Sequence, residues 1–267
     1  TRLQGDWSSD VCSSDLELLK ETPHFGDLMK MYPSTKLNLE YLIDHVPRIK
    51  PRLYSIASAS EMHGDNLHLC IVAEDWTTPG GKYRHGACTR YLKGMSQGGT
   101  PDLIAGKMSA AGINWPDTQQ FPCVMVALGT GIAPMRAMIQ EREMARIRGE
   151  PTGEMALFYG ARYKRNEYTY GEEFEEYHSG GKGVLTNHIN AFSRDQEHKI
   201  YVQNRIAENP ELIYDYLWKK KGYFYLCGPA GNVPPAVRAA VCDSFVKIGG
   251  HSAEEAEKMV TNMQIEG

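Results

Sequence analysis

Residues 121–148 read FPCVMVALGTGIAPMRAMIQEREMARIR, and this stretch sets the fold. Its first part, from Phe121 to Gly129, is an apolar run of strand length ending in glycine, the pattern of a strand buried on both faces. From Ile132 to Arg148 the period changes, with Met135, Met138, Ile139 and Ile147 on one side of a helix. Between them lies Gly129-Thr130-Gly131-Ile132-Ala133-Pro134. In a strand-to-helix turn the first glycine permits the sharp reversal, and the second lets backbone N–H groups approach a pyrophosphate. The helix start adds unpaired donors and partial positive charge. Pro134 is tolerated there because its missing N–H would be unpaired anyway. Read alone, the string also fits a tight turn that binds nothing.

Outward towards the C-terminus, strand and helix alternate. EMALFYGA precedes an acidic helix near Glu172 to Tyr177, and GVLTNHINAF precedes a helical region from Val202 to Trp218. GYFYLCG precedes a helix from Val233 to Ile248, and a last helix runs from Ser252 to about Met263. Alternating elements with glycines after the strands imply a doubly wound parallel sheet covered on both faces. Towards the N-terminus the pattern differs. Residues 17–50 hold short helical segments punctuated by Pro23, Pro33 and Pro47, while RLYSIAS, NLHLCIVAEDW and DLIAGKM read as strands, with a glycine-led helical turn at Gly86 to Leu92. The expected division is 17–116 for a mainly β part and 117–267 for an α/β part. Asp6 to Leu16, DWSSDVCSSDL, has neither period, and residues 1–16 resemble a translated sequencing adaptor, which would make the chain a fragment.

Composition narrows the function classes. In 267 residues, 42% are hydrophobic and 23% charged, and 29 basic against 33 acidic side chains leave −4, so no basic field points to nucleic acid. The apolar runs are shorter than the ~20 residues of a bilayer span, so no membrane segment is expected. The six cysteines show no CxxC pair or ligand spacing, which points to free thiols, no metal and a cytoplasmic setting.

Three further motifs could carry chemistry. Ser193, Arg194, Lys199, Tyr201 and Gln203 form a polar, cationic loop suited to a 2′-phosphate, which favours NADPH over NADH; the same residues also fit an ordinary solvated loop. Cys227 and Gly228 end the strand YLCG at the expected ligand edge, although a buried cysteine is often only a small hydrophobe. Arg52, Tyr54 and Ser55 in RLYSIAS, with Gly86-Ala87-Cys88-Thr89 downstream, could hold a second pyrophosphate and stack on a flat ring.

Taken in order, RLYSIAS, HGACTRYL, GTGIAPMRAMIQER, FYGARYKRNEYTYGEEFEEY, AFSRDQEHKIYVQ and YLCGPAGN resemble the reductase part of NADPH-dependent diflavin reductases. That family includes sulfite reductase flavoprotein, NADPH-cytochrome P450 reductase and pyruvate:NADP oxidoreductase, and the first and last of these branches look nearer. The resemblance implies a ferredoxin-NADP reductase-like fold: a partial antiparallel β-barrel for FAD, with the end of a helical insert, in 17–116, and an NADPH domain in 117–267. It implies that Arg52 meets the FAD pyrophosphate, that Tyr54 stacks on the flavin and that Ser55 lies near its hydride-accepting atom. Cys70, Ile71 and Val72 would pass the flavin edge, and Gly86, Ala87, Cys88 and Thr89 would cradle the FAD phosphates. Gly129, Thr130, Gly131, Ile132, Ala133 and Pro134, helped by Arg162, would hold the NADPH pyrophosphate. Ser193, Arg194, Lys199, Tyr201 and Gln203 would take the 2′-phosphate, and Cys227 with Gly228 would lie near the nicotinamide. The implied reaction is hydride transfer from NADPH to FAD, with electrons passed to FMN in a flavodoxin-like domain upstream or in a partner. The onward acceptor would be one such as the sulfite reductase hemoprotein. The family's missing C-terminal tail leaves a nucleotide-binding fragment without turnover as the alternative. Met135 stands where related sequences commonly carry Phe, a volume-tolerant exchange.

Overall fold

The computed structural model describes residues 18–95, 104–110, 112–113, 115–116 and 118–266. The stretch 1–16, with Cys12, lies outside the described residues. The chain divides into two compact units. One takes in the described residues of 1–53 and 72–106, and the other takes in Tyr54–Ile71 with those of 107–267. Packing therefore places residues 54–71 with the C-terminal unit, where the sequence puts a single boundary after residue 116.

In the smaller unit, short helices at Phe25–Met31 and Leu39–His45 match the helical reading of 17–50. The second starts where the Asn38 side chain accepts from the Tyr41 N–H at 2.8 Å. Strands β1 (Asp75–Thr77) and β2 (Tyr83–His85) form an antiparallel pair. The helix Phe25–Met31 is tied to β2 by Asp27, which meets Lys82 Nζ and Arg84 Nη1, each at 2.7 Å. Those two cations hold the Asp27 carboxyl well below the usual carboxylate range. A helix at Ala87–Lys93 opens on Gly86, as the sequence predicts.

The expected strands of this first half are mostly replaced. Of RLYSIAS and NLHLCIVAEDW, only an Ile56↔Leu69 bridge and β1 pair, and 104–110 has no regular structure, the earlier residues of DLIAGKM lying outside the described set. The physical reason around residues 56–69 is that beyond one backbone bond, from the Ala57 N–H to the His68 carbonyl at 2.8 Å, side chains take over from a ladder. Ser58 Oγ accepts from the His68 N–H at 3.0 Å, and Gln140 Oε1 accepts from the Ala59 N–H at 3.0 Å.

The larger unit is built on four parallel strands in the order β5-β4-β3-β6: β3 Cys123–Leu128, β4 Met155–Ala161, β5 Asn187–Phe192 and β6 Tyr223–Cys227. Alternation splits the core cleanly. Val124, Val126, Ala156 and Phe158 face one cluster, with Val202, Ile213, Val237 and Phe245 from the helices Val202–Ala207, Pro210–Tyr214 and Val233–Gly249. Met125, Ala127, Leu157 and Tyr159 face the other, against Ile132, Met135 and Ile139 of the helix Ile132–Ile147. A sheet covered on both faces explains why β3 and β4 are apolar throughout. Each fully buried Met, Leu or Phe there contributes about 1.5–3 kcal/mol. Gly250, at φ +69°, ends the helix Val233–Gly249 with its N–H on the Val246 carbonyl. A final helix, Ala253–Glu266, packs Ala256 into the first cluster.

Candidate functional site: two coenzyme cradles

The chain runs β3 to β4 to β5 outward on one side and then crosses to β6 on the other side of β3. The strand order therefore reverses between β3 and β6, and a parallel sheet opens a ligand crevice beyond the carboxyl ends at such a reversal. The register aligns those ends, with Leu128 opposite Gly160, Ala127 opposite Cys227 and Ala161 opposite Phe192.

Gly129 leaves β3 at φ +54° with open space where a Cβ would be, so it makes the reversal the sequence predicts. Gly131 has a different and sharper need. A Cβ there would lie 2.2 Å from the Cys227 carbonyl oxygen and 3.1 Å from the Gly228 nitrogen. The turn is thus pressed against β6 at the reversal point. Gly129 and Thr130 are exposed while Gly131, Ile132, Ala133 and Pro134 are buried, so the exposed face of this turn is short, with Thr130 as the one side chain on it. A 3₁₀ turn at Gly129–Gly131 leads into the helix Ile132–Ile147, whose Ile132 N–H bonds back to the Gly129 carbonyl, and no side chain caps the start of that turn, the end at which an anion would be met by backbone N–H groups.

At the ends of β4 and β5 the pairing continues two residues past the strands. The Ser193 N–H donates to the Ala161 carbonyl at 3.0 Å and the Arg194 N–H to the Arg162 carbonyl at 2.9 Å. Arg162 and Arg194 are therefore neighbours, both exposed, and Ser193 is buried beside them. Arg162 is oriented by Glu167, whose carboxylate takes its Nε at 2.7 Å and its backbone N–H at 2.8 Å. Lys199 and Tyr201 are exposed, with Gln203 half-buried, in the segment that leads into the helix Val202–Ala207. These placements fit a phosphate-bearing nucleotide: a glycine turn without a side-chain cap that leads into a helix, and neighbouring arginines on adjacent strand ends.

Cys227 ends β6 half-buried, and burial pushes its thiol pKa up, so it stays protonated at neutral pH. Cys70 behaves alike, its thiol raised by burial and partly offset by a hydrogen bond with Tyr170. Both cysteines pack against the same apolar cluster as Met125 and Tyr159. The segment that carries Tyr54, Ser55, Cys70 and Ile71 thus belongs to the nucleotide unit, with Tyr54 half-buried and Ser55 exposed.

Arg52, Val72 and Gly86 to Thr89 lie in the smaller unit. Arg52 is exposed and donates to the Lys50 carbonyl at 2.7 Å. No side chain caps the helix that Gly86 opens. A Cβ on Gly86 would fall 2.7 Å from Thr89 Oγ1 and 3.3 Å from the Glu74 carbonyl, so a side chain here would displace the Thr89 hydroxyl and crowd Glu74. An uncapped helix start and, in the same unit, an exposed arginine are groups suited to the phosphates of FAD.

Sequence reading missed the groups that hold the 57–68 segment, namely Arg136, Gln140, Glu173 and His68. A signal was present. Arg136 and Gln140 stand four apart on a helix whose neighbouring positions Met135, Met138 and Ile139 are all buried. Two long polar residues on a buried face need partners from elsewhere in the chain.

Two domain families match this chain, an FAD binding domain over residues 8–91 and an oxidoreductase NAD-binding domain over residues 125–234. The first match begins inside the stretch 1–16. Among curated relatives, the chain is 37% identical over 247 residues to the mitochondrial pyruvate dehydrogenase [NADP(+)] of Euglena gracilis, covering 92% of this chain and 13% of that one. It is 36% identical over 227 residues to the sulfite reductase [NADPH] flavoprotein component of Saccharomyces cerevisiae, covering 84% and 21%. To the NADPH–cytochrome P450 reductase of Drosophila melanogaster it is 31% identical over 259 residues, covering 97% and 36%. The chain thus spans roughly an eighth to a third of the length of these relatives. Among the described residues no helix is long and apolar enough to cross a membrane. With both domain families in order, a parallel sheet whose reversal point carries the glycine turn, and relatives from three branches, the chain belongs to the FAD- and NADP-binding reductase module of the diflavin reductases.

Proposed function

We propose that this chain is the electron-entry module of a diflavin reductase, taking a hydride from NADPH onto FAD and passing electrons to an FMN carried by a flavodoxin-like domain or partner. The observation that carries this reading is the convergence of Gly129, Arg162, Ser193 and Cys227 on one carboxyl edge, at the point where strand order reverses. When bound, the two coenzymes supply the redox chemistry; the protein contributes position and electrostatics. The turn at 129–134 seats the NADPH pyrophosphate with Arg162, and Ser193, Arg194, Lys199, Tyr201 and Gln203 take the 2′-phosphate. Arg52 and the helix start at Gly86 to Thr89 hold the FAD phosphates, Tyr54 stacks on the flavin ring, and Ser55 holds a hydroxyl beside it. Cys70, Ile71 and Val72 line the flavin edge. Cys227 and Gly228 close the nicotinamide side, the protonated thiol acting as a neutral, compact wall and hydrogen-bond donor. The sulfite reductase branch, a hemoprotein acceptor and a cytoplasmic setting complete the reading. The branch is supported by the yeast relative's name, and the setting by six cysteines without disulfide spacing.

The test is direct: the purified chain, loaded with FAD under anaerobic conditions, bleaches on adding NADPH. Nucleotide binding with no bleaching would leave only the fragment reading.

Selectivity supplies a second expectation. Arg194→Ala removes a charged hydrogen-bond donor from the 2′-phosphate seat, a loss of about 1.5–3 kcal/mol. NADPH binding, measured by calorimetry, should weaken by about 10- to 100-fold while NADH binding changes by less than about twofold. Equal losses for the two nucleotides would refute the assignment.

A further inference from the structure

The helix that begins at the nucleotide turn also grips the segment that follows Tyr54 and Ser55. Arg136 has only 7% of its side chain exposed. Its Nη1 donates to the Ala57 carbonyl and, at 3.1 Å, to His68 Nδ1. Its Nε donates to Glu173 Oε2 at 2.8 Å, and its guanidinium lies 4.5 Å from the centre of the Tyr170 ring. One turn on, Gln140 completes the arrangement. Its Oε1 accepts from the Ala59 N–H at 3.0 Å and from His63 Nε2 at 3.1 Å, and its Nε2 donates to Glu173 Oε1 at 2.9 Å. Because a guanidinium only donates, His68 Nδ1 must accept, so His68 is neutral here; burial, followed by the charges of His63 and Arg136, pushes its pKa down. Ala57 and Ala59 are buried, at 0% and 1% exposure, so the backbone groups held by Arg136 and Gln140 have no water to fall back on.

We infer that Arg136, Gln140 and Glu173 form a positioning clamp that fixes residues 57–70, and with them Tyr54, Ser55 and Cys70, relative to the nucleotide turn two residues before Arg136. The assignment deepens the hydride-transfer reading and rests on it for the role of the flavin-facing residues. None of the clamp's three residues is among those assigned to either coenzyme. Its substitution should disturb ring placement and leave nucleotide affinity intact, and a misplacement of about 1 Å can slow a reaction on the order of 100-fold. Arginine is required over lysine because one planar fork meets a carbonyl, a carboxylate and an imidazole at once, which a single ammonium on a flexible stem cannot reproduce.

The experiment compares Arg136→Gln, Glu173→Gln and Arg136→Lys in the full chain, with Arg238→Ala as a destabilised control. That control breaks contacts of Arg238 to Glu257 and Thr261, which join the last two helices. The first readout, amide hydrogen exchange without any coenzyme, should show Ala57 and Ala59 exchanging about tenfold or more faster in Arg136→Gln, while β3 to β6 keep their protection. The second readout should show the NADPH dissociation constant within about twofold of wild type, and single-turnover flavin reduction at saturating NADPH slower by about tenfold or more. Arg136→Lys should recover part of that rate. Unchanged exchange at Ala57 and Ala59 would overturn the clamp whatever the flavin does. Faster exchange with an unaltered reduction rate, or an equal slowing in Arg238→Ala, would overturn the positioning role. A wild-type chain that binds NADPH without reducing FAD removes the hydride-transfer reading and the positioning role together, but leaves the exchange result to decide the clamp. Glu173→Gln guards against misfolding, since it keeps the side chain's shape and removes only its charge.

Discussion

Gly131→Ala should lower the stability of the nucleotide unit by about 3 kcal/mol, at the upper end of what overpacking costs, and abolish measurable NADPH binding. The added carbon would sit 2.2 Å from the Cys227 oxygen and 2.6 Å from the Cys227 carbonyl carbon. Both are backbone atoms, and Cys227 is paired in register with Ala127 of the buried central strand. No rotamer change can relieve the clash. Either β6 separates from β3 at its carboxyl end, or the turn lifts away and carries the helix start with it. Gly129→Ala is the informative comparison, because that position has a left-handed φ but open space around it. Its cost should be only the about 1–2 kcal/mol of placing an ordinary residue in that conformation. Chemical denaturation and nucleotide titration of the two variants separate the effects. A Gly131→Ala protein as stable as wild type would contradict the packing of the turn against β6.

The second large effect is expected at Arg142. This residue is 1% exposed, and among the described residues no carboxylate pairs with it. Its Nη1 donates to the Gly153 carbonyl at 3.1 Å and the Glu154 carbonyl at 3.3 Å, its Nε donates to Gln119 Oε1 at 3.3 Å, and its guanidinium stands 5.4 Å from the Trp115 ring centre. The side chain stitches the segment before β3 to the loop before β4. Arg142→Ala removes a large buried volume and leaves carbonyl groups without their donor, losses that together come to about 3–5 kcal/mol. For a chain of this size that corresponds to a fall in melting temperature on the order of 10 °C. Arg142→Met refills much of the volume and should recover part of the loss, separating the packing contribution from the polar one. A melting temperature unchanged in Arg142→Ala would show that the loop finds other partners.

Legibility differed sharply between the two halves. In the nucleotide half, β3 spans Cys123–Leu128 inside the apolar run, and the helix from Ile132 stops one residue before the expected Arg148. β4, β5 and β6 fall within the segments read for them, while the last two helices run on to Gly249 and Glu266, past the expected Ile248 and Met263. Those elements announce themselves locally, because a strand buried on both faces must be apolar and a strand-to-helix turn must have glycine where the chain reverses. The helical stretch from Val202 proved to be two helices and a wider turn, Val202–Ala207, Pro210–Tyr214 and Asp215–Lys219, since Pro210 can open a helix but not continue one. RLYSIAS misled for the opposite reason. It has strand composition, but its Ala57, and Ala59 just after it, bond to a helix about 80 residues later in the chain, and nothing in a local window encodes that partner.

What the sequence by itself determined is the parallel sheet, its glycine turn, the order of the coenzyme motifs and the family to which they belong. The sheet and the turn follow from short-range rules of burial period and backbone freedom that act wherever the residues stand, whereas the motif order and the family rest on the resemblance of the quoted segments. Only the tertiary structure decided that Gly131 is demanded by the neighbouring strand, that Arg162 and Arg194 stand side by side, and that the segment after Tyr54 is held by Arg136. These depend on which distant groups meet, and buried hydrogen bonds and close contacts between remote segments are set by the packing of the whole unit.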